Sequence, residues 1–198
     1  TPTPVPTATP TSSLPDQRRR IESHYTANPP IIDGDLSDWG GEPTLMLDVN
    51  TARYVNPRSS PSPGDVSLTL RSRWDQNFLY FALHITDDAL IADSDEVWRD
   101  DGVELGFDGS NDDAGGSADD HQFTFAVDGR VTDFGVNPVP DLISNVQTTA
   151  DGYIIEIAVP KKLLGGSNFY TGQVLGFTVG LHDDDDGGDW DSYLIWEG

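Results

Sequence analysis

The residues best suited to chemistry in this sequence are aspartates, and six of them occur within the ten positions 182–191. Four are consecutive, and unneutralised carboxylates at that spacing repel one another and oppose local order. A calcium ion takes about six to eight oxygen ligands, so a bound ion would neutralise and order this loop. We therefore predict calcium here, with the candidate ligands Asp183, Asp184, Asp185 and Asp189. A flexible acidic loop without an ion is an equal alternative.

A second acidic pair, Asp87-Asp88, is a weaker candidate for calcium ligation. The chain has 28 Asp but only 6 Glu, and Asp favours turns and hard-cation sites whereas Glu favours helices. The spacing is not that of an EF-hand, whose loop needs a Glu at its twelfth position. The surplus of Asp therefore indicates acidic loops, calcium or both, with a solvated acidic shell as the alternative.

A carboxylate with an aromatic neighbour forms a second candidate site. Glu104 lies on the polar side of a predicted strand with a glycine two residues away in each direction, and Trp98 comes just before that strand. Glycine leaves open space where a ligand can approach. An indole stacks on the C–H face of a sugar ring, and a carboxylate accepts hydrogen bonds from sugar hydroxyls. The pattern indicates carbohydrate binding; alternatively, Trp98 packs on the core edge and Glu104 pairs with Arg71 or Arg73.

Two further polar side chains, Gln122 and Thr124, lie on the polar side of the predicted strand 121–127. They would lie beside Glu104 if the two strands are neighbours in the sheet. We include both as candidate carbohydrate ligands, although short polar groups on a sheet face are usually only solvated.

Composition and motifs argue against other classes of function. The formal net charge is −23, from 11 Lys+Arg and 34 Asp+Glu, which disfavours nucleic acid and anionic membranes as partners. No apolar run approaches the roughly 20 residues of a membrane span. The chain has no Cys, no G-x-S-x-G motif and four scattered His, which disfavours thiol, serine-hydrolase and zinc chemistry. Pairs of carboxylates occur by chance among so many acids, so we predict no catalytic residue and no enzyme.

Hydrophobic and polar residues alternate along six segments, which predicts β-strands rather than helices. Turn signals rich in Asp, Asn and Gly separate these segments. A turn at 160–164 is the one predicted helical piece. We therefore predict an all-β fold, an antiparallel β-sandwich of the jelly-roll type with little helix. The alternating segments are 66–74, 79–85, 103–107, 123–127, 153–159 and 175–181.

The first fifteen residues contain five Pro and five Thr and offer almost nothing to bury. Such a tract stays extended and acts as a spacer between modules, as in surface-exposed bacterial proteins. We therefore assign 1–27 to a Thr/Pro-rich linker and 28–198 to the β-sandwich. Because the chain begins at Thr1, we expect it to be a piece of a longer protein. The Thr/Pro tract favours an extracellular or cell-surface location, and the net charge of −23 favours a monomeric module.

Several segments, taken in chain order, resemble family-9 carbohydrate-binding modules, a family of the wider DOMON-like superfamily. They include an opening similar to I-D-G-x-x-D-x-x-W, a W-x-x-D-x-V-E pattern and a strand like G-Y-x-x-E-x-x-I-P. The resemblance extends over about residues 30–198. The matching segments are PIIDGDLSDW at 30–39, RWDQNFLY at 73–80, ITDD at 85–88, WRDDGVEL at 98–105, DGYIIEIAVP at 151–160 and GFTVGLHD at 176–183.

The resemblance implies a non-catalytic β-sandwich that binds sugars, contains structural calcium and accompanies secreted polysaccharide-degrading enzymes. In such modules two tryptophans clamp the end of a glucan or xylan chain. Trp98 matches the first clamp position, and Glu104 matches the hydroxyl-binding carboxylate. The second clamp would follow Trp196, beyond the last residue, unless Trp190 replaces it. Thr124 departs from the family pattern, which has an Arg at that position.

Two other functions compete with sugar binding. The first is a calcium-stiffened structural or adhesion module, which the incomplete clamp favours. The second is a haem-binding domain, with Met46 and His84 as axial ligands. Met46, in a Leu-Met-Leu triplet, is more typical of a core residue. Trp39 and Glu156 we interpret as structural.

Overall fold

The computed structural model describes residues 18–41, 43–136, 138–166 and 168–197. Within these ranges the chain forms two six-stranded sheets, and its helical elements are two single 3-10 turns, Leu36–Asp38 and Val97–Arg99. The predicted all-β sandwich with little helix is confirmed. The segment 160–164 is a hydrogen-bonded turn rather than a helix. No helix in the described ranges is long and apolar enough to cross a membrane.

Twelve strands follow one another along the described chain. In order they are β1 His24–Tyr25, β2 Leu45–Leu47, β3 Tyr54–Pro57, β4 Val66–Trp74, β5 Phe78–Asp87, β6 Gly102–Asp108, β7 Asp120–Ala126, β8 Val131–Asp133, β9 Ile143–Thr148, β10 Gly152–Pro160, β11 Gly176–Asp183 and β12 Ser192–Ile195. The six predicted alternating segments correspond to β4, β5, β6, β7, β10 and β11. The other six strands are short, and their few residues give too little alternation to be recognised.

Sheet A has the strand order β1–β4–β5–β10–β9, with β2 also paired to β4. Sheet B has the order β3–β12–β11–β6–β7–β8. Every strand pair is antiparallel except β1 with β4. The strand β3, Tyr54–Pro57, is the edge strand beside β12.

The core lies between the two sheets, where alternate residues of each long strand meet. In β4, for example, Val66, Leu68 and Leu70 are buried while the intervening residues are not. Val103 and Phe125 face them from sheet B. Burying a large aliphatic or aromatic side chain contributes roughly 1.5–3 kcal/mol, which is why alternation in the sequence specifies the inward faces.

A second, smaller core surrounds Trp39 on the outer face of sheet A. The indole is fully buried, and its Nε1 donates to Glu156 Oε1. The other carboxylate oxygen, Oε2, accepts from the backbone N of Asp33 at 2.9 Å and from that of Gly34. Gly34 has φ +87°, and a Cβ there would lie 2.8 Å from Gln147 Cβ. The structural interpretation of Trp39 and Glu156 is therefore confirmed.

The two ends of the sandwich differ in chemistry. Asp87 ends β5, Asp183 ends β11, and Asp101 directly precedes β6, so these aspartates meet at one end, here called the acidic end. The opposite end is aromatic. Residues 18–27 cross this aromatic end, where Trp74 Nε1 donates to Ser23 O at 3.1 Å. These residues fall on the linker side of the predicted boundary at 28, and residues 1–17 lie outside the described part of the chain.

Candidate functional site

The central residue of the candidate carbohydrate site is Glu104, on the outer face of sheet B. In the sheet register it lies between Thr124 of β7 and Gly180 of β11. The two arginines considered as its partners belong to β4 of the other sheet, where Arg71 donates to Gly41 O and Arg73 donates to Trp39 O. The ion-pair alternative for Glu104 is therefore wrong.

Polar neighbours hold the Glu104 carboxylate in one orientation. The Tyr193 hydroxyl donates to Oε1 at 3.1 Å, and His182 Nε2 lies 3.7 Å from Oε2. Burial alone raises the pKa of Glu104, but polar contacts with His182, Gln122 and Tyr193 outweigh burial and lower that pKa below its usual range. The carboxylate is therefore ionised at neutral pH and ready to accept hydrogen bonds.

Glycines shape this face by making room for neighbouring strands. A Cβ on Gly180 would lie 2.6 Å from the Tyr193 hydroxyl, so only glycine lets Tyr193 cross β11 and reach Glu104. Beside Glu104, a Cβ on Gly102 would lie 2.5 Å from Phe125 O, and one on Gly106 would lie 2.8 Å from Thr178 Cγ2. These two glycines thus serve strand packing, rather than the open ligand space that we expected.

Two tryptophans belong to segments that adjoin the strands around Glu104. Trp98 lies in the 3-10 turn that contacts β7 and β6, and it is 39% exposed. Trp190 lies next to Tyr193 of β12, and their ring centroids are 6.2 Å apart. Arg58 places its guanidinium 3.9 Å from the Trp190 ring centroid. In the strand order β12–β11–β6–β7, Trp190 is thus next to β12, and the turn that carries Trp98 is next to β6 and β7.

The remaining predicted carbohydrate residues differ in exposure. Gln122, opposite Gly106, is partly buried and reaches the Glu104 carboxylate. Thr124 is directly opposite Glu104 but only 4% exposed, so its side chain offers little surface to a ligand. Reasoning from the sequence missed His182 and Tyr193 at this face. The outward position of Tyr193 between Ser192 and Leu194 was the available signal, but this short strand was not predicted.

The acidic end contains a cluster of three buried carboxylates, Asp87, Asp101 and Asp183, here called the acidic cluster. One oxygen of each lies within 4.8 Å of the other two. Burial raises the pKa of Asp87 and of Asp183 to about 7 and that of Asp101 to about 9, and repulsion from nearby carboxylates adds to the effect. Asp101 was not among the predicted ligands, although its place directly before β6 was visible in the sequence.

Hydrogen bonding leaves part of the acidic cluster unsatisfied. Asp101 accepts from the backbone N of Ile91 at 2.6 Å and of Asp184 at 2.7 Å. In contrast, Asp87 Oδ2 and the neighbouring Tyr153 hydroxyl are buried without a hydrogen-bond partner among the described residues. Three carboxylates therefore converge here, and one of their oxygens has no hydrogen-bond donor. A calcium ion prefers oxygen ligands of this kind and would satisfy that oxygen.

The other predicted calcium ligands are distributed over separate groups. Asp88 and Asp185 approach Asp65, whereas Asp184 approaches Asp93 and Asp100. Asp189 pairs instead with the guanidinium of Arg58, beneath which Trp190 lies. The six predicted ligands therefore do not form one site, because neighbours in the loop 183–189 point to different parts of the acidic end.

The residues considered for haem ligation lie on the outer face of sheet A. Met46 is 65% exposed, so its interpretation as a core residue is wrong. In the register, Met46 pairs with Thr69, and Thr69 pairs on its other side with His84. Both side chains thus lie along one open sheet face with a strand between them, rather than facing each other across a crevice.

Fold and site together define a β-sandwich binding module. The chain matches the family described as carbohydrate family 9 binding domain-like over residues 32–198. This match covers most of the sequence, so the protein belongs to the carbohydrate family 9 binding domain-like family, whose role is binding rather than catalysis.

Similar proteins agree with this assignment. The chain is 26% identical to an endo-1,4-beta-xylanase A of Thermoanaerobacterium saccharolyticum over 79% of its own length, but it spans only 12% of the length of that relative. Two solved structures of a family 9 module from Caldicellulosiruptor kristjanssonii share its fold. The cellotriose complex has a TM-score of 0.74 at 20% identity, covering 90% of this chain and 84% of that one. The glucose complex has a TM-score of 0.69 at 18% identity, covering 87% and 84%.

Proposed function

We propose that the face around Glu104 binds the end of a β-linked glucan or xylan oligosaccharide, without catalysis. The observation that carries this proposal is the Glu104 carboxylate itself, which is largely buried, accepts from the Tyr193 hydroxyl and is ionised. A carboxylate in this state can accept from two adjacent sugar hydroxyls, and the exposed Trp98 offers an aromatic face to the sugar ring. Arg58 covers one face of Trp190, so Trp190 can stack only through its other face. The neighbouring family 9 structures were determined with cellotriose and with glucose, which favours glucan over xylan as the first ligand to test.

Isothermal titration with cellotriose and xylotriose tests the proposal. Trp98→Ala should weaken binding by about tenfold or more, because the stacking surface is lost. Glu104→Gln should also weaken it, because a neutral amide is a poorer acceptor and its NH2 group faces the Tyr193 hydroxyl. Tyr170→Ala is the matched control, since Tyr170 is an exposed aromatic residue at the other end of the sandwich. Unchanged affinity in both site variants would refute the assignment.

We also propose that the acidic cluster binds calcium, with Asp87, Asp101 and Asp183 as the protein ligands. The convergence of three buried carboxylates and the unpartnered Asp87 oxygen support this ligand set. The ion would neutralise the cluster and hold the ends of β5 and β11 together. Elemental analysis of protein dialysed against calcium tests the site, and Asp87→Asn should remove one bound equivalent.

A calcium-stiffened structural or adhesion module is the second candidate function, and the acidic cluster is the observation that favours it. Titration separates the two functions. If calcium raises the melting temperature while neither sugar binds, the role is structural.

The cellular setting is also part of this proposal. We infer an extracellular or cell-surface location for a monomeric module within a longer chain, because the xylanase relative is about eight times longer than the matched segment. The Thr/Pro-rich residues 1–15 support a spacer function in such a chain. Membership of the DOMON-like superfamily stays a prediction.

A further inference from the structure

Phe134 has an unusual backbone conformation at the edge of sheet B. It directly follows β8 and has φ +47°, and the next residue, Gly135, has φ +76°. The backbone N of Asp133 donates to Val136 O, and the N of Val136 donates to Asp133 O, both at 2.9 Å. Residues 133–136 thus form a tight hairpin turn with positive φ at both central positions, where Asn-Gly is the preferred pair. Phenylalanine is strained at the first of these positions, because its Cβ comes close to the following carbonyl oxygen.

Burial does not compensate for the strain at Phe134. The residue is 58% exposed, and it belongs to neither of the two cores that the described residues form. An exposed aromatic ring gains none of the free energy that its burial would supply. A residue that is both strained and exposed is therefore explained by a role at the surface rather than by the stability of the fold.

The sheet register places Phe134 beside the Glu104 site. Its backbone N donates to Gln122 O at 3.0 Å, so Phe134 continues β8 opposite Gln122. Thr132 of β8 is opposite Thr124, which is itself opposite Glu104. Because cross-strand partners share a face of the sheet, and so do residues two apart in a strand, Phe134 lies on the same face as Glu104. Between them, the Gln122 side chain reaches the Glu104 carboxylate.

The separation between Glu104 and Phe134 indicates a long ligand. Strand β7 lies between β6 and β8, so their backbones are roughly 10 Å apart across the sheet. A single sugar ring is too small to contact both residues, whereas an oligosaccharide with its end at Glu104 can cross Gln122 and reach Phe134. The phenylalanine ring offers only an apolar face, which can stack on the C–H face of a sugar. The net charge of −23 disfavours an acidic sugar as that unit.

We propose that Phe134 forms a second stacking position, which holds a neutral sugar unit of the same oligosaccharide beyond the unit at Glu104. The inference rests on the proposed function, since it needs the end of the oligosaccharide to bind at Glu104. It adds a preference for longer oligosaccharides, because only a ligand that spans both residues makes the second contact.

Isothermal titration of the full chain with glucose and with cellohexaose tests the inference. Wild-type protein should bind cellohexaose about tenfold more tightly than glucose. Phe134→Asn should weaken cellohexaose by about fivefold or more and leave glucose unchanged, whereas Phe134→Tyr, which keeps the ring, should retain the difference. Because Asn accepts positive φ more readily than Phe, the melting temperature of Phe134→Asn should stay level or rise. Tyr170→Asn is the matched control, since it removes a ring of similar exposure at the aromatic end.

Three results would overturn the inference. They are an unchanged ratio of cellohexaose to glucose affinity in Phe134→Asn, an equal loss of cellohexaose affinity in Tyr170→Asn, and a lower melting temperature of Phe134→Asn, which would give the ring a packing role instead. Failure of the proposed function is distinguishable from failure of this inference. If wild-type protein binds neither ligand, the proposed function fails and the inference fails with it. If glucose binds and the ratio is unchanged, the second stacking position alone is refuted.

Discussion

Removing calcium should make the stability of this protein fall steeply as the pH rises, because of the acidic cluster. Folding raises the pKa of Asp87 and Asp183 to about 7 and that of Asp101 to about 9, from an ordinary value of 3.8. A raised pKa means that the protonated form is favoured in the fold. Its stabilising contribution is therefore complete below about pH 4 and is lost as the pH rises through about 7 and then about 9.

The magnitude follows from proton linkage. The folded cluster keeps protons that the unfolded chain has lost. Each such proton lowers the free energy of unfolding by about 1.4 kcal/mol for every unit by which the pH rises. Because the three sites interact, we count only one such proton between about pH 5 and 7, which gives a loss of about 3 kcal/mol. For a domain of this size that corresponds to a fall in melting temperature of roughly 6–12 °C.

Differential scanning fluorimetry in EDTA and in millimolar calcium measures this effect across the same pH range. Bound calcium favours the ionised carboxylates over the protonated carboxyl groups. In calcium, the melting temperature should therefore stay level or rise as the pH rises. Asp87→Asn should flatten the dependence in EDTA, since its amide can occupy the position of the unpartnered Oδ2 and donate to a neighbouring carboxylate. A melting temperature in EDTA that is constant or rises from pH 5 to 7 would refute the reasoning.

Three further outcomes are expected. Tyr193→Phe removes the donor to Glu104 and should weaken cellotriose by about fivefold with little change in melting temperature; an unchanged affinity in calorimetry would mean that the hydroxyl does not orient the carboxylate. Trp39→Phe leaves Glu156 without its indole donor and should lower the free energy of unfolding in urea by about 2 kcal/mol. The same change at an exposed indole should lower it little, and equal losses would contradict the buried-anchor role. Deleting 1–27 removes contacts to β4 and should lower the melting temperature by several degrees relative to deleting 1–17; equal values would show that residues 18–27 add no stability.

The candidate site could be predicted from the sequence only in part. Glu104 and Trp98 were recognisable because they are close in the chain, on one strand and the turn before it. His182 and Tyr193 approach Glu104 from β11 and β12, which are about 80 to 90 residues away in sequence. Similarly, Asp183 was identified from its loop, but Asp101 joins it only because β6 and β11 are paired. Contacts between distant segments depend on strand order, which alternation of residues does not encode.

The sequence by itself determined the all-β class, the six long strands and their inward faces, because burial of alternate apolar residues is a local pattern with a large free-energy gain. It also determined that the chain is strongly acidic and lacks thiol chemistry. Only the tertiary structure decided which carboxylates are buried together, that Asp189 pairs with Arg58, and that Met46 is exposed. The physical reason is that the burial and the pKa of a carboxylate depend on which strands are neighbours in the sheet. Two adjacent aspartates can therefore point to different surroundings, whereas Asp101 and Asp183, about 80 residues apart, are buried together.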